Sequence, residues 1–264
     1  EGGKFVSEDR EGLRNYSSNS TVTITGGEII SETGVAVHNS GNLIIGTNDR
    51  NVSTEEPIIQ GATYAIESAN GYKFYDGILK GATEAYKNEP TETQSNYTVK
   101  HDTEVINTVT YKTAYLAPYL MIRNYTIDSD NIPHATYIIG AEEAGLTEYT
   151  SDKVESITFV ENATVPSGAV SWDVSEARDE SILAWVRDTD SDGLYELYIG
   201  SDIAILLQPL GAHMLFADYT NCTTINNFSS VDASRITDMY GMYKGASSMQ
   251  TINFSSINTT NVTG

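Results

Sequence analysis

The apolar positions of residues 21–86 fall in short runs without helical spacing. Thr21-Val22-Thr23-Ile24-Thr25 alternates with a period of two and stops at Gly26-Gly27. Val35-Ala36-Val37, Asn42-Leu43-Ile44-Ile45-Gly46, Pro57-Ile58-Ile59-Gln60-Gly61, Thr63-Tyr64-Ala65-Ile66 and Phe74-Tyr75-Asp76-Gly77-Ile78-Leu79-Lys80-Gly81 follow. Asn39-Ser40-Gly41 and Asn70-Gly71 punctuate them. Alternation places successive side chains on opposite faces of a strand, and Gly and Asn supply the turns. Strands this short and closely spaced predict a parallel β-helix or a small sandwich. The spacing favours the β-helix, whose coils need short strands with turn residues at the corners. Ile29, Ile45, Ile59 and Ile78 are then expected to stack from coil to coil.

The flanking segments read differently. Residues 1–20 are polar apart from Phe5-Val6 and read as a leader or a loosely attached edge strand. Residues 21–92 are the β-solenoid-like region, and residues 93–153 an irregular β segment. Asn88 to Gln94 has little to bury and reads as a linker, within a candidate stretch over 87–100. Tyr97–Asp102 and Val105–Leu116 predict a hairpin. Residues 154–212 form a coherent β block. There Val154, Ser156, Thr158 and Val160 are expected on one face, with Glu155, Ile157 and Phe159 on the other. Ser181–Val186 and Leu194–Ile199 flank Asp188-Thr189-Asp190-Ser191-Asp192-Gly193, the clearest hairpin signal of the chain.

The last fifty residues repeat. Leu215 aligns with Met242, Phe216 with Tyr243, Cys222 with Met249, and Thr224-Ile225-Asn226 with Thr251-Ile252-Asn253, at an offset of 27. Phe228-Ser229-Ser230 then aligns with Phe254-Ser255-Ser256 at an offset of 26, so one residue slips between the two blocks. Apolar positions keep their character while polar ones drift, as stacked repeats require. The alignment breaks off inside the second copy, which suggests a piece of a longer array.

Ser171-Trp172-Asp173-Val174-Ser175, Ala184-Trp185-Val186, Leu197-Tyr198-Ile199-Gly200, Met214-Leu215-Phe216 and the Phe-Ser-Ser, Thr237-Asp238-Met239 and Met242-Tyr243 elements occur in that order. Together they resemble the BspA-like leucine-rich-repeat surface proteins of bacteria, with a repeat of about 25 residues. Tyr243 stands where that family usually has Phe, and Met249 where it has Leu. The resemblance covers residues 154–264. More weakly, Asn42–Gly46 and Gly77–Gly81 resemble β-helix-type segments of large Clostridia surface proteins. It implies an extracellular, cell-surface protein, often an adhesin, with protein or glycan ligands and no catalytic motif to carry over. The expected fold is therefore mainly β. A parallel β-helix-like or sandwich region precedes a β cap domain (154–212) and the start of a leucine-rich-repeat-like solenoid (213–264). A cap is needed because an uncovered terminal rung exposes apolar side chains.

Composition narrows the partners. The 264 residues carry 36 acidic and 15 basic side chains, a net charge of -21. Nucleic acid and anionic membrane surfaces need clustered Lys and Arg, so both are poor partners. A cation or a basic partner fits. One Cys excludes an intrachain disulfide, and no apolar run is long enough to span a bilayer. Eleven Asn-x-Ser/Thr sequons, Asn15 among them, are read as a by-product of an Asn-, Ser- and Thr-rich chain.

Two groups of side chains carry candidate chemistry. Asp188, Asp190, Asp192 and Gly193 spell the first half of a calcium loop, but Ile199 stands where an EF-hand has its Glu. The bland alternative is a solvated hairpin turn. Weak calcium binding, in the range of about 10⁻⁴–10⁻³ M, is the expectation if the loop holds a cation. Tyr195, Tyr198, Tyr219, Tyr240 and Tyr243 are the candidate interaction surface, weighed against packing as core or cross-strand pairs. The four His residues lack ligand spacing, and His101 and Asp102, adjacent on a strand, point to opposite faces. Three functions follow from these features: a non-enzymatic adhesin or scaffold; a self-assembling subunit that adds the Phe5-Val6 segment to a neighbour's open edge; and a carbohydrate-active β-helix enzyme.

Overall fold

The computed structural model describes residues 2–252, 257 and 259–263. The chain is mainly β and divides into two compact units, residues 1–117 and 118–264. Among the described residues no helix is long and apolar enough to cross a membrane.

The first unit is built from four consecutive strand triplets. These are β1 (Lys4–Ser7), β2 (Leu13–Asn15) and β3 (Thr21–Ile24); β4 (Glu28–Ser31), β5 (Val37–Asn39) and β6 (Asn42–Ile45); β7 (Ile58–Gly61), β8 (Tyr64–Ser68) and β9 (Lys73–Phe74); and β10 (Ile78–Gly81), β11 (Glu84–Tyr86) and β12 (Glu92–Thr93). Equivalent strands pair in parallel, in the orders β1-β4-β7-β10, β2-β5-β8-β11 and β3-β6-β9-β12. Two long strands follow, β13 (Tyr97–Ile106) and β14 (Val109–Pro118). β14 runs antiparallel to β10, so the hairpin extends the first sheet. Its turn residues Asn107 and Thr108 both have positive φ, which keeps a two-residue turn in step with the strand twist.

Register decides which side chains stack. Ile29, Ile59 and Leu79 are partners in one inward column, while Ile24, Ile45 and Phe74 form another. The expected column of Ile29, Ile45, Ile59 and Ile78 is thus split, because Ile45 belongs to a different sheet and Ile78 pairs with Ile58. A third column is polar. Asn15 Nδ2 donates to Asn39 Oδ1 at 2.8 Å, and Asn39 Nδ2 donates to Ser68 Oγ at 2.9 Å and to the Gly41 carbonyl at 2.7 Å. All three side chains are buried, so each triplet helps satisfy the polar groups of the next. The same burial makes Asn15 unsuited to glycosylation.

Of the two expectations for residues 1–20, a leader or an edge strand, the structure has the edge strand: β1 and β2 lie there and pair with β4 and β5. The linker expected over 87–100 is instead structured. β12 pairs with β9, and Gln94 and Tyr97 are buried. A two-residue strand held by main-chain hydrogen bonds needs no hydrophobic signature.

The second unit contains a small hairpin of β15 (Thr126–Ile127) and β16 (Pro133–His134). β17 (Val154–Val160), β18 (Val170–Asp173), β19 (Leu183–Arg187), β20 (Tyr195–Gly200) and β21 (Thr224–Asn226) follow. These five form one sheet in the order β18-β19-β20-β17-β21. β17 is parallel to both β20 and β21, so the expected cap block and the terminal repeat share a sheet. They also share a core that includes Ile157, Phe159, Trp172, Leu215, Phe216 and Phe228. The β17 face assignment changes at its start. A bulge between Val154 and Ser156 turns Val154 inward with Ile157 and Phe159.

The aligned repeat positions meet in space. Phe216 N–H donates to the Met242 carbonyl at 2.8 Å, and the Phe216 and Tyr243 rings pack with centroids 5.4 Å apart. Parallel bridges join Tyr119 to Leu206 and Leu206 to Asp232, so stacking begins upstream of the repeat. Asn253, Phe254, Ser255 and Ser256 of the second copy lie outside the described residues.

Candidate functional site

The most developed polar anchor of the second unit is Arg123, which follows the apolar run Tyr119–Ile122. Its guanidinium is buried and donates only to main-chain carbonyls among the described residues. These belong to Ala217 (2.6 Å), Leu215 (3.2 Å), Met214 (3.3 Å), Ala135 (2.6 Å) and Tyr137 (2.7 Å). Its central carbon sits 4.4 Å from the centroid of the Tyr219 ring. Burial lowers its pKa from the ordinary arginine value. A charge without a carboxylate partner is held here by carbonyl dipoles and a ring face. Nothing in its local sequence marks it beyond a lone Arg after an apolar run.

Arg123 fixes the chain two residues before Tyr125. The β15–β16 hairpin follows at once, while the main chain of the repeat carries His213 and Tyr240. Met214 N–H donates to the Tyr240 carbonyl at 2.9 Å, which locks the two repeat turns together. The result is a three-ring stack. The His213 ring lies 5.0 Å from Tyr125 and 5.3 Å from Tyr240, centroid to centroid. His213 Nδ1 is 2.8 Å from Asp238 Oδ2, and Asp238 Oδ1 accepts the Tyr240 N–H at 2.7 Å. A carboxylate only accepts, so Nδ1 carries the proton. Its hydrogen bond with His213 holds the Asp238 carboxyl below the ordinary carboxylate range. His213 Nε2 is buried without a hydrogen-bond partner among the described residues. Tyr125 and Tyr240 are 42% and 53% exposed.

The five tyrosines of the expected surface do not form one face. Tyr219 is 1% exposed because its ring lies beneath Arg123, which removes it from any interaction surface. Tyr243 is half-buried against Phe216, and burial pushes its pKa up to about 12. Tyr198 stacks on Trp185 at 5.6 Å, a cross-strand pair of β19 and β20. Tyr195 packs against Tyr149 at 5.2 Å. Only Tyr240 stands clear of the fold among the five. Its partner Tyr125 escaped the sequence reading because its neighbours show no repeat. Cys222 is a core position, and burial raises its thiol pKa to about 11.

The acidic loop is formed as a tight turn between β19 and β20. The carboxylates of Asp188, Asp190 and Asp192 are exposed and lie within 4.8 Å of one another. They also accept the loop's own main-chain donors. Asp188 takes the Asp192 and Gly193 N–H at 3.2 and 3.1 Å, and Asp192 takes the Leu194 N–H at 2.8 Å. These bonds account for the turn with no cation. Glu155 faces the same loop. Desolvation first, then the charges of Asp192, Asp190, Glu196 and Asp188, raise its pKa. The arrangement can gather a hard cation weakly, since the oxygen donors are few and open to water.

The remaining histidines make local pairs, His38 with Glu67 at 4.0 Å among them. His101 Nε2 is 3.0 Å from the Tyr86 hydroxyl, which donates to Glu89 at 2.6 Å, while Asp102 accepts the Thr103 N–H. His134 pairs with Asp128 at 2.9 Å and with Asp218 at 3.6 Å. Comparison with protein-family models, with curated proteins and with solved structures gives no match.

Proposed function

We propose that the chain is a non-enzymatic scaffold of a bacterial cell-surface protein, an adhesin or structural module that presents a binding face to ligands on host or neighbouring cells. In this reading residues 4–93 are a parallel β-helix of four coils. Residues from Tyr119 onward are a hairpin-bearing cap and the first rungs of a leucine-rich-repeat-like solenoid of the BspA-like kind. The observation that supports it best is the connectivity of the first unit. Within the four triplets, strands one, two and three pair in parallel with their counterparts in neighbouring triplets, and β10 alone also takes the β14 hairpin strand; parallel pairing of equivalent strands is the pattern a wound coil generates. An extended array of short rungs offers a long, rigid surface, and the Tyr125–His213–Tyr240 stack joins the segment before β15 to the repeat region. Surface proteolysis of intact producing cells tests the reading. The chain should be cleaved before lysis; protection until the envelope is opened would refute a surface location.

A second reading, self-assembly, has its own observation. β1 is the edge of its sheet, and its Phe5 occupies the end of the inward Ile29–Ile59–Leu79 column. Phe5 is 54% and Val6 41% exposed there. An unpaired strand with apolar side chains is a template for strand addition. Sedimentation equilibrium decides: a concentration-dependent mass that Phe5→Glu abolishes favours assembly, and a strict monomer removes it.

A further inference from the structure

We propose that the Tyr125–His213–Tyr240 stack is a docking site for a basic, arginine- or lysine-bearing segment of a protein partner. The inference rests on the reading of the chain as a binding scaffold and names the site and the partner's chemistry.

Three observations converge on it. First, the two outer rings are presented to solvent and held in place. Each packs against His213, and Asp238 ties His213 to the Tyr240 main chain. Arg123 anchors the segment that carries Tyr125. Such preorganisation lowers the ordering cost of binding. Second, the rim is acidic. Asp238 touches the central ring, and Asp128 and Asp130 follow Tyr125 on the same hairpin. Glu143 accepts a hydrogen bond from Asn124, the residue before Tyr125. The groups of opposite sign nearby are Arg123, buried against main-chain carbonyls, His134, already paired with Asp128 and Asp218, and Lys244, which donates to the Pro133 carbonyl. With a net charge of -21 behind it, this rim attracts cations over a distance. Third, the protein already uses this contact internally. Arg123 lies over Tyr219 at 4.4 Å and Arg14 over Tyr16 at 4.5 Å. A guanidinium or ammonium laid on Tyr125 or Tyr240 repeats that geometry beside an acidic rim.

Exposed aromatic rings also stack on sugars, so a neutral glycan is the competing occupant. The acidic rim and the internal precedents favour the basic segment.

Fluorescence anisotropy of a labelled peptide of alternating arginine and serine, titrated with the full chain, tests the site. The Tyr125→Ala/Tyr240→Ala variant should weaken binding about ten-fold or more. Tyr240→Phe, which keeps the ring face, should stay within about two-fold of wild type. Tyr16→Ala should change nothing, because Arg14 already covers that ring. Tyr240→Ala alone, at an exposed ring, keeps the test valid if the double variant fails to fold. Equal affinity for wild type and the tyrosine variants would overturn the proposal and reduce binding to diffuse charge attraction. Capture of cellohexaose in place of the peptide, lost in the same variants, would overturn it in favour of a glycan platform. Failure of the surface-proteolysis experiment would refute the scaffold's location and leave this measurement unaffected.

Discussion

In residues 1–117 the stacking contacts recur from one strand triplet to the next, whereas among the described residues of 118–264 the decisive contacts occur once. Asn15, Asn39 and Ser68 hand hydrogen bonds along a buried ladder, and Ile29, Ile59 and Leu79 repeat one apolar position in register. The second unit also brings aligned repeat positions together, as Phe216 against Tyr243. Yet Arg123 joins the carbonyls of residues 135–137 to those of 214–217, and among the described residues no other side chain repeats that role. Loss of one ladder rung should therefore be shared by its neighbours, while loss of the clamp should be borne by the whole second unit. Repetition spreads stability over nearest-neighbour interfaces; a buried charge concentrates it.

The largest effect is expected from the clamp. Arg123→Ala removes a shared donor from five carbonyls, of which Ala135 keeps the Ser151 hydroxyl and Met214 the Ala217 N–H, and should cost the second unit about 3–5 kcal/mol. Both tryptophans, Trp172 and Trp185, lie in that unit, so their fluorescence reports its unfolding alone. An unchanged fluorescence midpoint would break the contrast between the units. Arg123→Lys keeps the charge but loses the planar fork and should fall between the two.

A smaller change is expected from the ladder. Asn39→Ala strands the Asn15 and Ser68 groups and should cost about 1–3 kcal/mol. Hydrogen exchange of β2, β5 and β8 should rise, while the tryptophan signal stays where it is. A shift in that signal would show that the units do not unfold separately.

These two variants also mark what was legible in the sequence. Short alternating runs announce strands because their signal is local, and β3, β6, β7 and β10 appear where the pattern put them. The hairpin around Asp188–Gly193 and the stacking of Phe216 on Tyr243 followed for the same reason. Register is not local. Which sheet Ile45 joins depends on turn geometry, and a single bulge moved Val154 to the inner face. Gln94 and β12 were hidden because main-chain pairing leaves no hydrophobic trace. Tyr219 was misplaced since only the fold reveals that Arg123 covers it, and Tyr125 was missed since its partners are 88 and 115 positions away, at His213 and Tyr240.

Charge effects come next in size, and they have opposite signs within the second unit. The hydrogen bond with His213 lowers the folded pKa of Asp238; in Asp128 the Ile132 N–H does most, with His134 adding to it. Their contribution is present above the ordinary carboxylate value and lost as pH falls through the lowered one. Glu155 behaves inversely. Its raised folded pKa makes its charge a penalty that is full above that value and relieved as pH falls through it. Glu155→Gln should therefore raise the fluorescence midpoint at neutral pH by less than about 1 kcal/mol, and the gain should vanish in acid. A gain that persists in acid would assign the effect to packing. Smallest is the acidic loop. Calcium should register by titration only near about 10⁻⁴–10⁻³ M, and Asp190→Asn should remove it without unfolding the hairpin. Submicromolar affinity would contradict a turn that already satisfies its own carboxylates.

Excision of one whole triplet tests the stacked-coil reading most directly. Ile58 and Ile78 are register partners, so removing residues 58–77 brings Ile78 to the place of Ile58 beside Glu28. Hydrogen exchange would follow β1–β6 and β10 in the shortened protein. In a wound coil those strands stay protected, because β10 re-forms the lost interface with β4. Loss of protection across all of them would contradict stacked coils and show that residues 1–117 fold only as an indivisible whole.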